Sequence, residues 1–131
     1  MISKKEKRVL ATMRNNSRQS AAKIANKLQI PTSVVLENID GFNTMINKYS
    51  SLINFTQVGF PVKIVIATNK AYLPILLEKK GVNNLYLTNQ GVIAEILFQT
   101  IKDKHDFIEQ VGDAQIYDVI EELKREEFRI T

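Results

Sequence analysis

The sequence contains no cysteine, no tryptophan and a single histidine among its 131 residues. Without cysteine there is no disulfide framework and no thiolate metal site, and one histidine cannot hold a zinc ion without other ligands. No apolar run approaches the roughly 18 residues that a membrane span needs, and no apolar export segment follows the basic N-terminus. We therefore expect a cytoplasmic protein with no metal and no cofactor.

Acidic residues are scarce in the first part of the chain. The first 60 residues carry nine Lys or Arg against three Asp or Glu, whereas the remainder carries nine against eleven. A basic segment joined to a mildly acidic one favours a polyanionic partner for the basic segment, and phosphates are the commonest such partner. A solvated, lysine-rich surface accounts for the same composition equally well.

The first 45 residues have the apolar spacing of three short amphipathic helices. The spacing predicts helices from about Ser3 to Asn15 and from Ala21 to Leu28, with Ser20 as the N-cap of the second. A third helix follows a tight turn, and Thr32 or Ser33 is its expected cap. Three short helices with a tight turn between the last two indicate a helix-turn-helix domain.

From Met45 onward the pattern changes to one typical of strands. This strand pattern is interrupted by stops or turns at Gly81, Asn89-Gln90-Gly91 and Gly112-Asp113. The predicted strands are 49–54, 62–68, 82–88, 92–100 and 127–130, and the predicted helices are 72–80, 103–111 and 115–125.

These elements predict an α+β chain with two domains. Residues 1–48 form a three-helix, winged-helix-like helix-turn-helix domain, and residues 49–60 form a hinge strand and linker. Residues 61–131 follow the β-α-β-β-α-β order of a ferredoxin-like domain. The strand 62–68 has apolar residues on both faces, more than two helices are expected to cover, so we also predict a homodimer or higher oligomer.

The sequence resembles the Lrp/AsnC family of transcriptional regulators over nearly its whole length. Arg8-Val9-Leu10, the segment Asn16–Ser20 and the segment Lys23–Leu28 resemble the first two helices of the family. The segment Met45–Phe60 matches the family hinge, which reads roughly "vIxgYtalinpxxlGy". The resemblance implies a DNA-binding regulator whose α/β part forms dimers, often rings of dimers, and binds a small effector such as an amino acid.

Candidate DNA contacts lie on the second and third helices. Lys23 and Lys27 stand at i, i+4 on the helix that would cross the DNA backbone, with Arg18 beside them, so we expect these three to contact phosphates. The third helix lacks the outward arginines usual in the family. Its candidates for contacts with DNA are Thr32, Ser33, Val34, Glu37 and Asn38, of which Asn38 is suited to adenine and Glu37 to cytosine.

Effector binding is expected, if at all, at the turn Asn89-Gln90-Gly91. In the family an acidic residue follows this glycine by three positions, whereas Ala94 stands there in this sequence. The turn therefore lacks the group that would hold an α-amino group, and a small-molecule effector is doubtful.

Two other functions stay open. A chain whose helical part no longer reads DNA would act as an interaction or heteromeric subunit. Siroheme decarboxylases have a similar two-domain build, with His105 as the one candidate acid or base here. No catalytic grouping of serine, histidine and acid can be singled out, so we expect a protein that is not an enzyme.

Overall fold

In a computed structural model, which describes residues 2–49 and 52–131, the chain forms two compact units. One unit comprises residues 1–51 and 124–131, and the other comprises residues 52–123. The first is helical and the second contains a four-stranded sheet, so the predicted α+β class is confirmed. The domain boundaries proposed from the sequence stay a prediction.

The helical unit contains α1 (Lys4–Asn15), α2 (Ala21–Leu28) and α3 (Thr32–Gly41), followed by a single 3₁₀ turn, Phe42–Thr44. A capping box begins α1, in which the Ser3 hydroxyl accepts from the backbone N–H of Glu6 and the Glu6 carboxylate accepts from that of Ser3. Ser20 caps α2 as predicted, its hydroxyl accepting from the Lys23 N–H at 3.1 Å.

One face of each helix supplies the core of the helical unit. Burying one such apolar side chain stabilises the fold by about 1.5–3 kcal/mol, so this small cluster is enough to fix three short helices against one another. The buried members are Val9 and Met13 of α1, Ile24 and Ala25 of α2, and Val35 and Phe42 at or after α3.

Two predictions for this part of the chain were wrong: the side-chain cap of α3 and the hinge strand 49–54. Neither Thr32 nor Ser33 caps α3: Pro31 occupies the N-cap with an extended backbone (φ −60°, ψ 141°), and no side chain caps the helix. A proline fixes φ and so can end the turn without a capping side chain.

The predicted hinge strand, Tyr49 to Asn54, is absent from the described residues. Tyr49 and Leu52–Asn54 are not in a strand, and Ser50 and Ser51 lie outside the described residues. Residues 55–59 form turns closed by the Phe60 N–H donating to the Phe55 carbonyl. Since the described part of the helical unit contains no strand, the wing expected of a winged-helix-like domain is absent there as well.

The α/β unit follows the order β1 (Val62–Thr68), α4 (Leu73–Glu78), β2 (Val82–Thr88), β3 (Gly91–Phe98), α5 (Ile101–Ile108) and β4 (Gln115–Asp118). The strands lie in the order β2-β3-β1-β4, and every neighbouring pair is antiparallel. Val65 of β1 stands opposite Glu95 of β3 and Tyr117 of β4, which fixes the register at the middle of the sheet.

Both helices of this unit pack on one face of the sheet. Ile64 and Ile66 of β1 are fully buried against Leu76 of α4 and Phe107 of α5. Because side chains alternate along a strand, Lys63, Val65 and Ala67 point to the opposite face, which we call the open face. The dimer prediction rested on the apolar residues of this strand, of which Val62, Ile64 and Ile66 serve the core, whereas Val65 lies on the open face.

The end of the chain differs from its predicted secondary structure. Residues 115–118 form the last strand, where a helix 115–125 was predicted, and residues 127–130 do not form the expected strand. Ile116 packs against the core and pairs with Ile66, whereas Ile120 is 98% exposed and Leu123 is 84% exposed. Pairing of residues 115–118 with β1 therefore prevails over the helical spacing of the apolar residues.

Candidate nucleic-acid interface

A cationic groove lies along the outer face of α2. Lys23 and Lys27 are exposed and lie one helical turn apart, because Ile24 and Ala25 hold the opposite face of the helix in the core. The groove is formed by these lysines and by polar residues from the end of α1 and the connection that follows: Asn15, Asn16, Gln19, Lys23, Asn26 and Lys27. An adjoining depression adds Arg18, Ser20 and Ala22.

Side-chain hydrogen bonds fix the α1–α2 connection that forms one wall of the groove. The Gln19 amide donates to the carbonyl oxygens of Thr12 and Asn16, both at 3.2 Å. The Asn16 side-chain oxygen accepts from the Arg18 N–H at 3.1 Å. These bonds tie the connection to the last turn of α1, so the side chains along it are held in one arrangement beside α2.

The cations of the groove are not neutralised within the described part of the chain. Among residues 2–49 and 52–131, no carboxylate lies within ion-pair distance of Arg18, Lys23 or Lys27. The rest of the lining is uncharged, and its amide and hydroxyl groups form hydrogen bonds to phosphate oxygens as readily as to water. The groove is chemically suited to bind an anion with several oxygen acceptors.

The outer face of α3 is different in character. Thr32, Ser33 and Glu37 are exposed as expected, and Val34 is half-buried. Asn38 is half-buried, and its amide nitrogen is buried without a hydrogen-bond partner among the described residues. The predicted contact of Asn38 with adenine stays a prediction.

Sequence reasoning missed two features of this interface. The polar wall contributed by Asn15, Asn16 and Gln19 was not predicted, although Asn26 one turn after Lys23 was a signal that the outer face of α2 is polar throughout. The exposure of Leu36, which is 56% accessible beside Glu37, was also missed. The α3 face therefore combines an apolar and an acidic side chain where a cation would be expected.

The turn between β2 and β3 is closed by its own hydrogen bonds. The Thr88 hydroxyl donates to the Gly91 carbonyl at 3.0 Å and accepts from the Gln90 N–H at 3.1 Å. Gly91 has φ +129°, and a Cβ there would collide with the Thr68 carbonyl oxygen. Asn89 and Gln90 are exposed. The predicted effector contacts at these three residues stay a prediction.

His105 is exposed on α5, among other exposed charged side chains of the same helix. On the same helix Lys102 pairs with Asp106 at 2.9 Å, and this hydrogen bond raises the pKa of the lysine. Within residues 2–49 and 52–131, no three His, Cys, Asp or Glu side chains gather as metal ligands. No helix among the same residues is long and apolar enough to cross a membrane.

No protein-family model and no curated protein matches the sequence. Solved structures do match the fold over nearly the whole chain. A transcriptional regulator from Neisseria meningitidis, solved in complex with L-methionine, is 14% identical with a TM-score of 0.86, and the match covers 95% of this chain and 94% of the regulator. LrpC from B. subtilis is 12% identical with a TM-score of 0.85, over 95% and 98% of the two chains.

AsnC from E. coli gives the same result, with 14% identity and a TM-score of 0.80 over 98% of this chain and 99% of AsnC. The chain therefore has the fold of Lrp/AsnC-type transcriptional regulators, and the resemblance noted in the sequence is confirmed at the level of the fold. At these identities the likeness concerns the architecture and carries no residue-by-residue function.

Proposed function

We propose that this protein is a DNA-binding transcriptional regulator of the Lrp/AsnC type that acts as a homodimer or higher homo-oligomer in the cytoplasm. The observation that carries the proposal is the groove on α2, in which Lys23 and Lys27 have no acidic partner and are surrounded by neutral hydrogen-bonding groups. The shared fold with transcriptional regulators supports it.

In this proposal α2 positions the protein on the DNA backbone and α3 enters the major groove, as in other helix-turn-helix proteins. Lys23, Lys27 and Arg18 neutralise phosphates, which supplies affinity without sequence preference. Thr32 and Ser33 at the start of α3 offer hydroxyl groups to phosphates or base edges. With so few base-reading groups, sequence preference comes chiefly from the ease with which a site deforms.

Association through the open face of the sheet would supply the dimer. Val65 lies there between Glu95 of β3 and Tyr117 of β4, and Ala67 lies between Ile93 of β3 and Gln115 of β4. Ile93 is 39% exposed and Tyr117 is 56% exposed. Neither α4 nor α5 covers this face, since both pack on the opposite one. Two copies sharing it would present two helical heads, so that two weak contacts with DNA act together.

Salt titration of DNA binding tests the proposal directly. Lys23→Gln and Lys27→Gln should each weaken binding to all sequences about equally and lower the slope of log affinity against log salt by roughly 0.9. The matched control is Lys70→Gln with Lys80→Gln, which removes exposed lysines from the α/β unit. If the α2 variants bind like the wild type, or if the control variant is equally weakened, α2 does not bind phosphates.

A second candidate function is favoured by the composition of α3. Leu36 is exposed beside Glu37 and one turn before Asp40, and this apolar and acidic face repels phosphates. A protein with this face would act as an interaction subunit for a partner with a basic and apolar surface. Leu36→Lys would then abolish partner binding, whereas in a DNA-binding protein the same change adds a cation to α3, the helix proposed to enter the major groove of DNA, and strengthens binding to DNA.

A further inference from the structure

The outer side of α1 carries cations that the α2 groove does not account for. Positions 4, 8, 11 and 15 lie one above another at helical spacing, and Lys4, Arg8 and Asn15 of this row are exposed, as is Lys5 beside it. In the described part of the chain no carboxylate lies within ion-pair distance of the three basic side chains. We call Lys4, Lys5 and Arg8 the α1 cationic face.

This face runs into the α2 groove. Asn15 ends the row on α1 and also lines the groove together with Lys23 and Lys27. The 12 residues of α1 span about 18 Å at a rise of 1.5 Å per residue. This length corresponds to about five base pairs at 3.4 Å each. On this side of α1, exposed cations stand over the first two turns and exposed Asn15 stands at the end, with half-buried Ala11 between them.

The placement of these cations opposes the stability of α1 itself. Lys4 and Lys5 lie in the first turn of the helix, where the macrodipole favours anions, and Glu6 is the one acidic residue in that turn. Charges that weaken the element carrying them are expected where a function requires them. A bound polyanion would remove the conflict, because it neutralises the lysines.

We propose that the α1 cationic face binds phosphates of the same DNA duplex that the α2 groove holds, beyond the segment covered by α2. The proposal rests on the proposed function, and it extends the contact of each helical unit along the duplex by about five base pairs. Asn15 belongs to both surfaces, which favours one duplex over two, because a single backbone that passes Asn15 can reach both.

The test compares binding to two duplexes of mixed sequence, of about 14 and about 30 base pairs. Lys4→Gln with Arg8→Gln should weaken binding to the longer duplex by roughly tenfold and lower the salt slope by about two, while binding to the shorter duplex changes little. The control, Lys70→Gln with Lys80→Gln, removes the same charge from the α/β unit and should behave like the wild type on both duplexes.

A second measurement distinguishes DNA binding by the α1 cationic face from a role of these charges in solubility alone. Lys4→Glu with Lys5→Glu should raise the melting temperature by about 3 °C, because acidic residues suit the first turn of a helix, and should still weaken binding to the longer duplex. A variant that melts higher and binds the longer duplex as tightly as the wild type would overturn the proposal.

The remaining outcomes are also decisive. If Lys23→Gln weakens binding and the α1 variants do not, the α1 proposal fails while the proposed function stands. If neither set of variants changes binding, the proposed function fails. In a further experiment, wild-type protein and the α1 variant are each bound to duplex immobilised on beads, and the retention of a second, labelled duplex is measured. If the wild type retains the second duplex and the α1 variant does not, the α1 cationic face binds another molecule of DNA, and its placement on the same duplex is wrong.

Discussion

Substitution of Ser20 separates the stability of the helical unit from its affinity for DNA. The Ser20 hydroxyl caps α2 through the Lys23 N–H at 3.1 Å, and Ser20 also lines the depression that contains Arg18 and Lys23. Ser20→Ala removes the cap and adds no charge. Ser20→Asp keeps a capping oxygen and places a carboxylate among the cations. The two variants should therefore move stability and affinity in different combinations.

Loss of the cap in Ser20→Ala should cost about 1 kcal/mol of the free energy of unfolding, since α2 has only eight residues over which to spread the loss. In the Asp variant the cap remains and the negative charge suits the helix N-terminus, so stability should equal or exceed that of the wild type by about 0.3–1 kcal/mol. A cost of 1 kcal/mol lowers the melting temperature by about 4–8 °C in a small domain.

Circular dichroism melts and anisotropy titrations on the same preparations provide both measurements. DNA affinity of the Ala variant, measured well below its melting temperature, should stay within about twofold of the wild type, while the Asp variant should bind several-fold more weakly and lose about one unit of salt slope. The control is Thr100→Ala, which removes the corresponding cap of α5 in the α/β unit and should lower stability without changing DNA affinity. An Asp variant that binds DNA like the wild type would refute the assignment of this surface to phosphates.

Two further predictions concern the α/β unit. Val65→Asp should convert the dimer to monomers in sedimentation equilibrium and weaken DNA binding through lost bivalency. The control, Val65→Thr, should remain dimeric. An Asp variant that sediments as a dimer would exclude the open face as the interface. Gly91→Ala should lower the free energy of unfolding by about 1–3 kcal/mol in chemical denaturation, because φ is +129° and the added Cβ meets the Thr68 carbonyl. Gly41→Ala, where the Cβ meets nothing within 4 Å, is its control and should be neutral or slightly stabilising.

The elements predicted best from the sequence are those whose residue pattern fits only one kind of secondary structure. The helix signals around Ser3 and Ser20 are local, because the capping hydroxyl and the N–H that it binds are three residues apart. The strand 62–68 is a run rich in β-branched residues between Pro61 and Asn69, and its predicted and observed bounds are the same. In these places local preference and tertiary packing agree.

The errors arose where the outcome depends on a partner distant in sequence. Ile116, Val119, Ile120 and Leu123 have a spacing that fits a helix, yet residues 115–118 pair with β1, about fifty positions earlier. The exposure of Asn38 was misjudged for a related reason. On a helix with as weak an amphipathic pattern as α3, the buried side is fixed by where α1 and α2 lie, and this cannot be read from the helix alone.

The position of β2 at the edge of the sheet affects how the protein behaves in concentrated solution. β2 is one of the two edge strands, and its seven residues include neither a charged residue nor a proline, while Tyr86 and Leu87 are exposed. Natural proteins usually protect such edges with lysine, proline or irregular pairing, and here a register shift between Val82 and Asn84 protects only one end. The remaining stretch is the kind of edge to which a second molecule can add a strand, so we expect self-association at high concentration to begin there.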